Sequence, residues 1–454
     1  MSRSLFKYYM KAFSMIGARF IFAALIIAPL CVKSQDIRPL SLQEAIDLSV
    51  KNSHILKASS AKIEQAASQV RQVMDNKLPN ASVSGSYLYL ANSTVTMKAA
   101  RSGGSDTSGT KIPNINQAAY GILNVSLPVY AGGKIRYGIE SAKYLQQAVQ
   151  LDAENDKESV ILNTINAYVN LYKASVTVDV VRENLAQSSH QDSVFSRLEQ
   201  NGLLARNDLL KSELQTSNIE LSLLDAENNL KITNVNMDLL LSLPETTVLK
   251  TDSTGFDKNY SLKTIDEYEQ LALNNRKDVM ALSFRKMAAT KGISIAKADQ
   301  YPTLVLTGGY IAADIPHFLT ITNAANIGVG LKYDIASLWK SKAKIAESKS
   351  RVKEITANEA QLNDGVRLQV NRNFENFLLS QKKTEVYKKA VAQAEENYRI
   401  TKNKYDNALV NTTDLLEADV SLLQSKINLA VSKADVLLAY STLLETTGIL
   451  SNNQ

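Results

Sequence analysis

The side chains that most often carry out catalysis are scattered along this chain rather than grouped. His54, His190 and His317 are its three histidines, and no spacing among them suggests a metal site. Serines and aspartates are abundant, yet no nucleophile-elbow motif and no glycine-rich phosphate loop occurs. The sequence therefore predicts a protein that is not an enzyme and that holds no metal and no cofactor.

Acidic residues near the carboxyl end have a spacing that a helix would bring together. Asp414 and Glu417 are three positions apart, so a helix would place them on one face, and Asp208 is the equivalent acid in an earlier segment. In a purely structural interpretation, the acids interact with helix dipoles beside the N-cap candidates Asn207, Thr412 and Thr413.

Two long segments must position these acids. Residues 134–200 and 340–407 contain no proline and only one glycine each, Gly138 and Gly365. As helices, each would be about 100 Å long at about 1.5 Å per residue, which is more than one globular core needs. Long periodic runs of this kind are typical of coiled-coil-like packing. The sequence predicts a mainly α-helical fold that contains long helical hairpins.

The chain contains an internal repeat. A shift of 223 positions places residues 42–87 on 265–310, and a shift of 206 then places Asp208 on Asp414. We predict repeats at about 40–244 and 263–450, joined by a polar linker at 245–262. The predicted elements of the first repeat are 41–52, 54–77, 81–90, 121–129, 134–200 and 206–241. Those of the second repeat are 264–274, 277–300, 303–312, 326–335, 340–407 and 412–446.

The predicted strands alternate between apolar and polar residues. Between Asn326 and Ile335, one face carries Ile327, Val329 and Leu331, and the other carries glycines and charged residues. Strands of about ten residues fit a tilted passage through a membrane, but a soluble sheet that packs on a helix shows the same alternation. Four strands cannot close a membrane barrel, because the smallest has about eight. The membrane interpretation therefore needs several copies, and three copies would supply twelve strands.

The first residues are predicted to be a secretory signal peptide at 1–34. Basic residues precede an apolar run from Phe20 to Leu30, and residues 32–34 provide a cleavage site. An alternative is a lipoprotein that is acylated at Cys31, although Leu30 is bulky for the position before an acylated cysteine. Either leader predicts an exported protein.

The charge balance changes when this leader is removed. It contains five of the 51 basic residues and no acidic ones, so 46 basic residues remain against 45 acidic ones. A nearly neutral mature chain does not favour binding to nucleic acid. Cys31 is the only cysteine, so the mature chain has no thiol chemistry.

Two motifs carry a resemblance to a known family. Residues 127–134 read Leu-Pro-Val-Tyr-Ala-Gly-Gly-Lys, an apolar strand that ends in a glycine turn. Residues 405–418 begin with Tyr405, pass through Ala408 and continue to an Asp-Leu-Leu sequence at Asp414. Together with the repeat, they resemble the TolC-like outer-membrane efflux protein family over nearly all of the mature chain. The first motif is similar to the family's strand-to-helix junction, and the second to its turn between a long helix and a return helix.

The resemblance implies a homotrimer in the outer membrane, with a helical tunnel in the periplasm. Twelve strands would form one β-barrel within outer-membrane lipid, and twelve helical strands would form an α-helical barrel. The far end would dock to a periplasmic adaptor and an inner-membrane pump, driven by protons or by ATP. The implied function is a passive exit duct of a tripartite efflux or type I secretion system.

The resemblance also implies roles for individual residues. The family's periplasmic gate is ringed by carboxylates, which here match Asp414 and Glu417, with Asp208 in the first repeat. Three copies would form rings of acids that bind cations and narrow the opening. The strand-to-helix junction would comprise Gly132, Gly133 and Lys134. The adaptor-docking tips would comprise Gly202, Leu203, Arg206, Ala408, Leu409 and Asn411. Two departures occur: Ala408 stands where the family usually has glycine, and residues 334–340 replace a second Gly-Gly-Lys.

Two other classes of protein are alternatives. A periplasmic coiled-coil adaptor or structural tether without a membrane pore would have one helical hairpin flanked by β-domains. This chain is predicted to have two hairpins, with strand pairs at their opposite ends. An exported enzyme with a helical core would need an active-site constellation, which the sequence lacks. The pattern therefore favours the outer-membrane channel subunit.

Overall fold

The fold is mainly helical, as predicted. A computed structural model describes residues 37–91, 115–252, 256, 260–316 and 318–452, so the predicted leader and His317 lie outside the described residues. The helices are α1 (Leu42–Asn52), α2 (His54–Asp75), α3 (Lys134–Gln200), α4 (Arg206–Leu241), α5 (Ile265–Asn275), α6 (Lys277–Ala298), α7 (Ser337–Asp406) and α8 (Thr412–Thr446). The strands are β1 (Ile37–Leu40), β2 (Asn80–Tyr89), β3 (Gln117–Ala131), β4 (Val248–Thr251), β5 (Thr303–Ile315) and β6 (Leu319–Lys332).

The same order of elements occurs twice. The series α1, α2, β2, β3, α3 and α4 is followed by α5, α6, β5, β6, α7 and α8. Capping explains where each series begins: the Ser41 hydroxyl accepts from Glu44 N–H at 3.2 Å, and Thr264 forms a capping box with Glu267. Pro79 and Pro302 follow the ends of α2 and α6, where a proline cannot continue a helix.

The second strand-to-helix junction corrects two predicted boundaries. β6 ends at Lys332 rather than Ile335, and α7 begins at Ser337 rather than Lys340. The cause is a turn at Asp334, whose side-chain Oδ1 accepts from Ala336 N–H at 3.1 Å. The Asp334 carbonyl also accepts from Ser337 N–H at 2.9 Å, so helical geometry starts three residues early.

The predicted linker at 245–262 contains a strand that the sequence did not indicate. β4 pairs in parallel with β1, and Leu40 lies opposite Thr251. The Tyr168 hydroxyl, from the middle of α3, donates to the Leu40 carbonyl at 2.9 Å and accepts from Asp252 N–H at 2.8 Å. Burial raises the pKa of Tyr168 to about 12, so it remains a neutral donor. This strand pair therefore anchors both chain segments to the middle of the long helix.

Asp238, at the end of α4, is a buried acid in this region. Its Oδ2 accepts from Asn234 Nδ2 at 2.8 Å, whereas its Oδ1 has no hydrogen-bond partner in the described part of the chain. Asn234 also accepts from Leu249 N–H at 2.9 Å and so ties α4 to β4. Burial, together with the nearby Glu245 carboxylate, raises the pKa of Asp238 to about 6.

A pH dependence of stability follows from this raised pKa. The folded state binds the Asp238 proton more tightly than the unfolded state, so stability is lost as the pH rises through about 6. We expect this group to lower the free energy of unfolding by on the order of 1–3 kcal/mol between about pH 4 and pH 7. Asp238→Asn should remove that loss, as measured by urea unfolding at several pH values. The same pH slope in both proteins would contradict this account.

α8 is the helix in the described residues that is long and apolar enough to cross a membrane, by length and composition alone. Its apolar residues instead pack inside the helical section, beside α7 and α3. Leu415, Ala418, Leu437 and Leu443 are all buried there. This burial is that of a core helix, so the strands, rather than α8, are the candidates for contact with a membrane.

Candidate functional site

The four long strands form one antiparallel sheet in the order β2-β3-β5-β6. Its register places apolar residues in rows across the strands: Leu127 pairs with Leu306, which pairs with Val329. The apolar face consists of Val83, Tyr87, Leu123, Val125, Leu127, Leu304, Leu306, Tyr310, Ile327, Val329 and Leu331. The other face carries most of the polar side chains, including Ser82, Ser84, Ser86, Asn124, Ser126, Thr303, Thr307, Asn326 and Lys332.

The apolar face is exposed in the single chain. Val83 is 81 % exposed, Ile327 is 84 % exposed and Leu331 is 71 % exposed. Among the described residues, these four strands make extensive contacts only with one another, so no helix covers the face. A soluble sheet would bury such a surface, and the alternative of a sheet that packs on a helix therefore does not fit. β2 and β6 are at the two ends of the sheet and have open hydrogen-bonding edges.

The first strand-to-helix junction needs its glycines. Gly132 (φ 61°) and Gly133 (φ 84°) both adopt the left-handed conformation between β3 and α3. A Cβ atom on Gly132 would lie 2.7 Å from the Ala298 carbonyl oxygen and 2.9 Å from the Tyr301 Cβ. Lys134 then begins α3 and pairs with Asp299 at 2.8 Å. The turn thus brings the start of α3 against the end of α6.

At the far end of the long helices, two turns lie side by side. We call residues 201–205 the first tip and residues 407–411 the second tip. In each tip, one N–H donates to the carbonyl three residues earlier, and the next N–H donates to the carbonyl five residues earlier. The donors are Gly202 and Leu203 in the first tip, both at 2.8 Å, and Ala408 and Leu409 in the second tip, both at 2.9 Å. This is the Schellman pattern, which requires a left-handed residue. Gly202 (φ 72°) and Ala408 (φ 59°) provide it.

The tips pair a buried cluster with exposed leucines. Phe195, Leu209 and Leu415 are buried together where the two hairpins meet, and the rings of Phe195 and Tyr405 lie 5.5 Å apart. Leu203 is 74 % exposed and Leu409 is 73 % exposed, at equivalent positions of the two turns. Each tip therefore exposes an apolar side chain next to a well-packed cluster that holds the two hairpins together.

The two tips allow a matched test of backbone strain. We expect Gly202→Ala to destabilise the protein by about 1 kcal/mol, because alanine is strained in the left-handed region. A Cβ at this position would meet nothing within 4 Å, so the cost is conformational. Ala408→Gly should stabilise it by about 0.5 kcal/mol, which is the relief of strain less the entropy of glycine. Thermal unfolding checks both; equal shifts of the same sign would contradict the assignment.

The predicted gate acids differ in their surroundings. Asp414 forms a capping box with Asn411: its N–H donates to Asn411 Oδ1 at 3.0 Å, and its Oδ2 accepts from Asn411 N–H at 3.2 Å. Asp208 accepts from Lys211 Nζ at 3.3 Å. Glu417 is exposed, with no hydrogen-bond or ion-pair partner in the part of the chain that the structure describes. Asp414 and Asp208 thus have local structural partners, whereas Glu417 has none among the described residues.

The predicted N-caps of these helices are wrong. The N-cap of α8 is Asn411. The N-cap of α4 is Ala205, so α4 begins without a side-chain cap. The predicted caps Thr412, Thr413 and Asn207 lie inside the first turns. Lys211 Nζ is nevertheless 3.5 Å from Thr413 Oγ1, so the two helix starts are neighbours.

Farther along α8 lies a buried acid that the sequence pattern did not single out. Asp419 is buried, and Asn184 Nδ2 of α3 lies 3.3 Å and 3.5 Å from its two oxygens. Burial raises the pKa of Asp419, against the opposing effects of Asn184 and Lys426. The signal was present in the sequence, because Asp419 falls on the same helical stripe as the buried Leu415 and Leu422.

A sheet with an exposed apolar face, joined to helices of 67 and 70 residues, is the architecture of an outer-membrane channel subunit. The chain matches the family described as "Outer membrane efflux protein" at residues 45–242 and 269–449. These matches cover more than half of the chain, which therefore belongs to this family. The predicted family and the predicted outer-membrane location, with the helical section in the periplasm, are confirmed.

Individual relatives agree with this assignment. The outer membrane efflux protein BepC of Brucella suis is 21 % identical over 409 residues, which cover 88 % of this chain and 89 % of BepC. TolC of Escherichia coli is 23 % identical over 66 % of this chain and 63 % of its own length. The CmeC outer membrane channel of Campylobacter jejuni superposes with a TM-score of 0.75 at 19 % identity, over 90 % of this chain and 86 % of CmeC. The family is one of channel proteins.

Proposed function

We propose that three copies of this chain form a passive exit duct through the outer membrane. The observation that carries this proposal is the four-stranded sheet, with an exposed apolar face and two open edges. One sheet is too small to close, whereas three sheets joined edge to edge would give twelve strands and leave no edge. The apolar faces would then contact lipid, and the polar faces would line the duct. A periplasmic tether would leave the apolar face uncovered.

The long hairpins would continue this duct across the periplasm. α3 and α7 have 67 and 70 residues, so each is about 100 Å long at about 1.5 Å per residue. The far end carries both tips, and we propose that Gly202, Leu203, Arg206, Ala408, Leu409 and Asn411 form the surface that docks to a periplasmic adaptor. The energy would come from an inner-membrane pump that engages the same adaptor. Asp414, Glu417 and Asp208 would form the gate at this mouth.

Oligomeric state and conductance test the duct. The purified protein in detergent is expected to have the mass of three chains and to form ion-conducting pores in planar bilayers. A monomer that does not conduct would contradict the proposal.

Photo-crosslinking tests the docking surface separately. A photoreactive residue at position 203 or 409 is expected to crosslink, in cells, to a protein anchored in the inner membrane with a periplasmic hairpin. The same residue at position 327, on the apolar face, serves as the control and should not form this crosslink. The same crosslink at all three positions would remove the tips from the interface.

A further inference from the structure

A cavity of about 450 Å³ lies where the sheet meets the helices. On the sheet side it is lined by one row of residues across β3, β5 and β6, in which Ala131 pairs with Thr303 and Thr303 pairs with Lys332. These residues lie on the polar face of the sheet, one position from the apolar row that contains Leu304 and Leu331. The walls come from the start of α3, the end of α6 and the start of α7. They include Lys134, Asp299, Asp334, Ser337, Lys340 and Lys344.

The cavity carries an excess of positive charge. Four lysines line it, against two aspartates. Asp299 binds two of the lysines, Lys134 at 2.8 Å and Lys344 at 2.5 Å. Burial would raise the pKa of the Asp299 carboxyl, but these two hydrogen bonds lower it below its ordinary value, so it stays ionised. The remaining lysines, Lys332 and Lys340, have no acidic partner among the described residues.

A buried hydroxyl in the cavity wall has no hydrogen-bond partner among the residues that the structure describes. Ser337 is only 8 % exposed, and its Oγ makes no hydrogen bond within the described chain. A buried polar group that is left unpaired destabilises the folded state, so such a group normally has a partner. A ligand that accepts hydrogen bonds would satisfy it. Ser341, one turn farther along α7, is also buried and accepts from Gln300 Nε2 at 2.8 Å.

We propose that this cavity binds an oxyanion of the phosphate class. Two lysines without acidic partners and a buried hydroxyl donor suit a small anion with several acceptor oxygens. A cation would meet net positive charge, and an apolar ligand would leave the lysines and Ser337 without partners. On the proposed function, the polar face of the sheet lines the duct, so three such cavities would ring its interior where the barrel meets the helical tunnel. The anion site itself does not depend on that location.

Binding of inorganic phosphate to the purified full-length protein in detergent tests the site. Titration calorimetry is expected to show saturable binding, at least about tenfold weaker in Lys332→Gln/Lys340→Gln. The matched control is Lys342→Gln/Lys349→Gln, which removes the same charge from exposed positions of α7 outside the cavity. Ser337→Ala, which changes no charge, should also weaken binding. No saturable binding, or an equal loss in both lysine pairs, would overturn the proposal.

Two further measurements locate the site. Phosphorus analysis of the purified protein should find no phospholipid bound at these lysines. A phospholipid that is bound to the unmodified protein but absent from Lys332→Gln/Lys340→Gln would place the site on the lipid side and overturn the luminal position. In planar bilayers, that variant should shift the reversal potential toward cation selectivity. An unchanged potential would also overturn the luminal position. Because calorimetry needs no pore, a failure of the anion site is distinguishable from a failure of the duct.

Discussion

Glu417→Gln is expected to raise the single-channel conductance severalfold in planar bilayers and to weaken block by divalent cations. In a trimer, three copies of this exposed side chain would surround the narrow mouth beside the second tip. Carboxylates in such a ring attract cations, and a bound divalent cation obstructs the opening. Removing the charge removes that binding. Of the three proposed gate acids, Glu417 gives the clearest test, because no other described residue pairs with it.

The other two acids serve as comparisons. Asp414→Asn should also cost about 1 kcal/mol of stability, because it weakens the capping box with Asn411, so its conductance change mixes two causes. Asp208→Asn should change conductance least, because Lys211 already balances that charge. Unchanged conductance and unchanged cation block in Glu417→Gln would remove the gate assignment.

Gly132→Val is expected to prevent assembly of the folded protein. Any residue other than glycine at φ 61° is strained by about 1–2 kcal/mol, and a β-branched side chain is strained further. The new Cβ would lie 2.7 Å from the carbonyl oxygen of Ala298 and 2.9 Å from the Tyr301 Cβ, so backbone would have to move. Together we expect a loss of more than about 3 kcal/mol. The folded fraction, measured by heat-modifiable mobility in gels, checks this.

A matched glycine provides the control. Gly365 lies inside α7, and a Cβ there would meet nothing within 4 Å. Gly365→Ala should therefore stabilise the protein by up to about 1 kcal/mol, because alanine favours the helix more than glycine does. Gly132→Ala adds the same Cβ atom and should lower the thermal stability. An unchanged thermal stability in this variant would show that the junction does not require glycine.

The long helices could be predicted because many residues contribute to the periodic pattern of each one. The boundaries of α3, α4 and α8 agree with the predicted 134–200, 206–241 and 412–446. Each is flanked by turn residues and carries no internal proline, so local and long-range signals agree. The positions of the two strand pairs also followed from the repeat, but β6 begins at Leu319 rather than at the predicted residue 326. The division into repeats at about 40–244 and 263–450 stays a prediction.

The short elements could not be predicted, because other parts of the fold hold them in place. β1 and β4 have four residues each, too few to show alternation, and their pairing depends on Tyr168 in a distant helix. The early start of α7 depends on one side chain, Asp334. At the tips, the sequence located the acids but not their partners. Only the structure separates the free Glu417 from Asp414, which caps its helix.

A cysteine scan along β6 tests most directly whether the sheet has one face in lipid and one in the duct. Cys31 is the only cysteine and lies in the predicted leader, so a single cysteine can be placed at each position from Asn326 to Leu331. We expect positions 327, 329 and 331 to be reached only by lipid-soluble reagents, and positions 326, 328 and 330 by a membrane-impermeant thiol reagent from inside the duct. Equal reactivity at all six positions, or the opposite alternation, would contradict a sheet with one face in lipid and one in the duct.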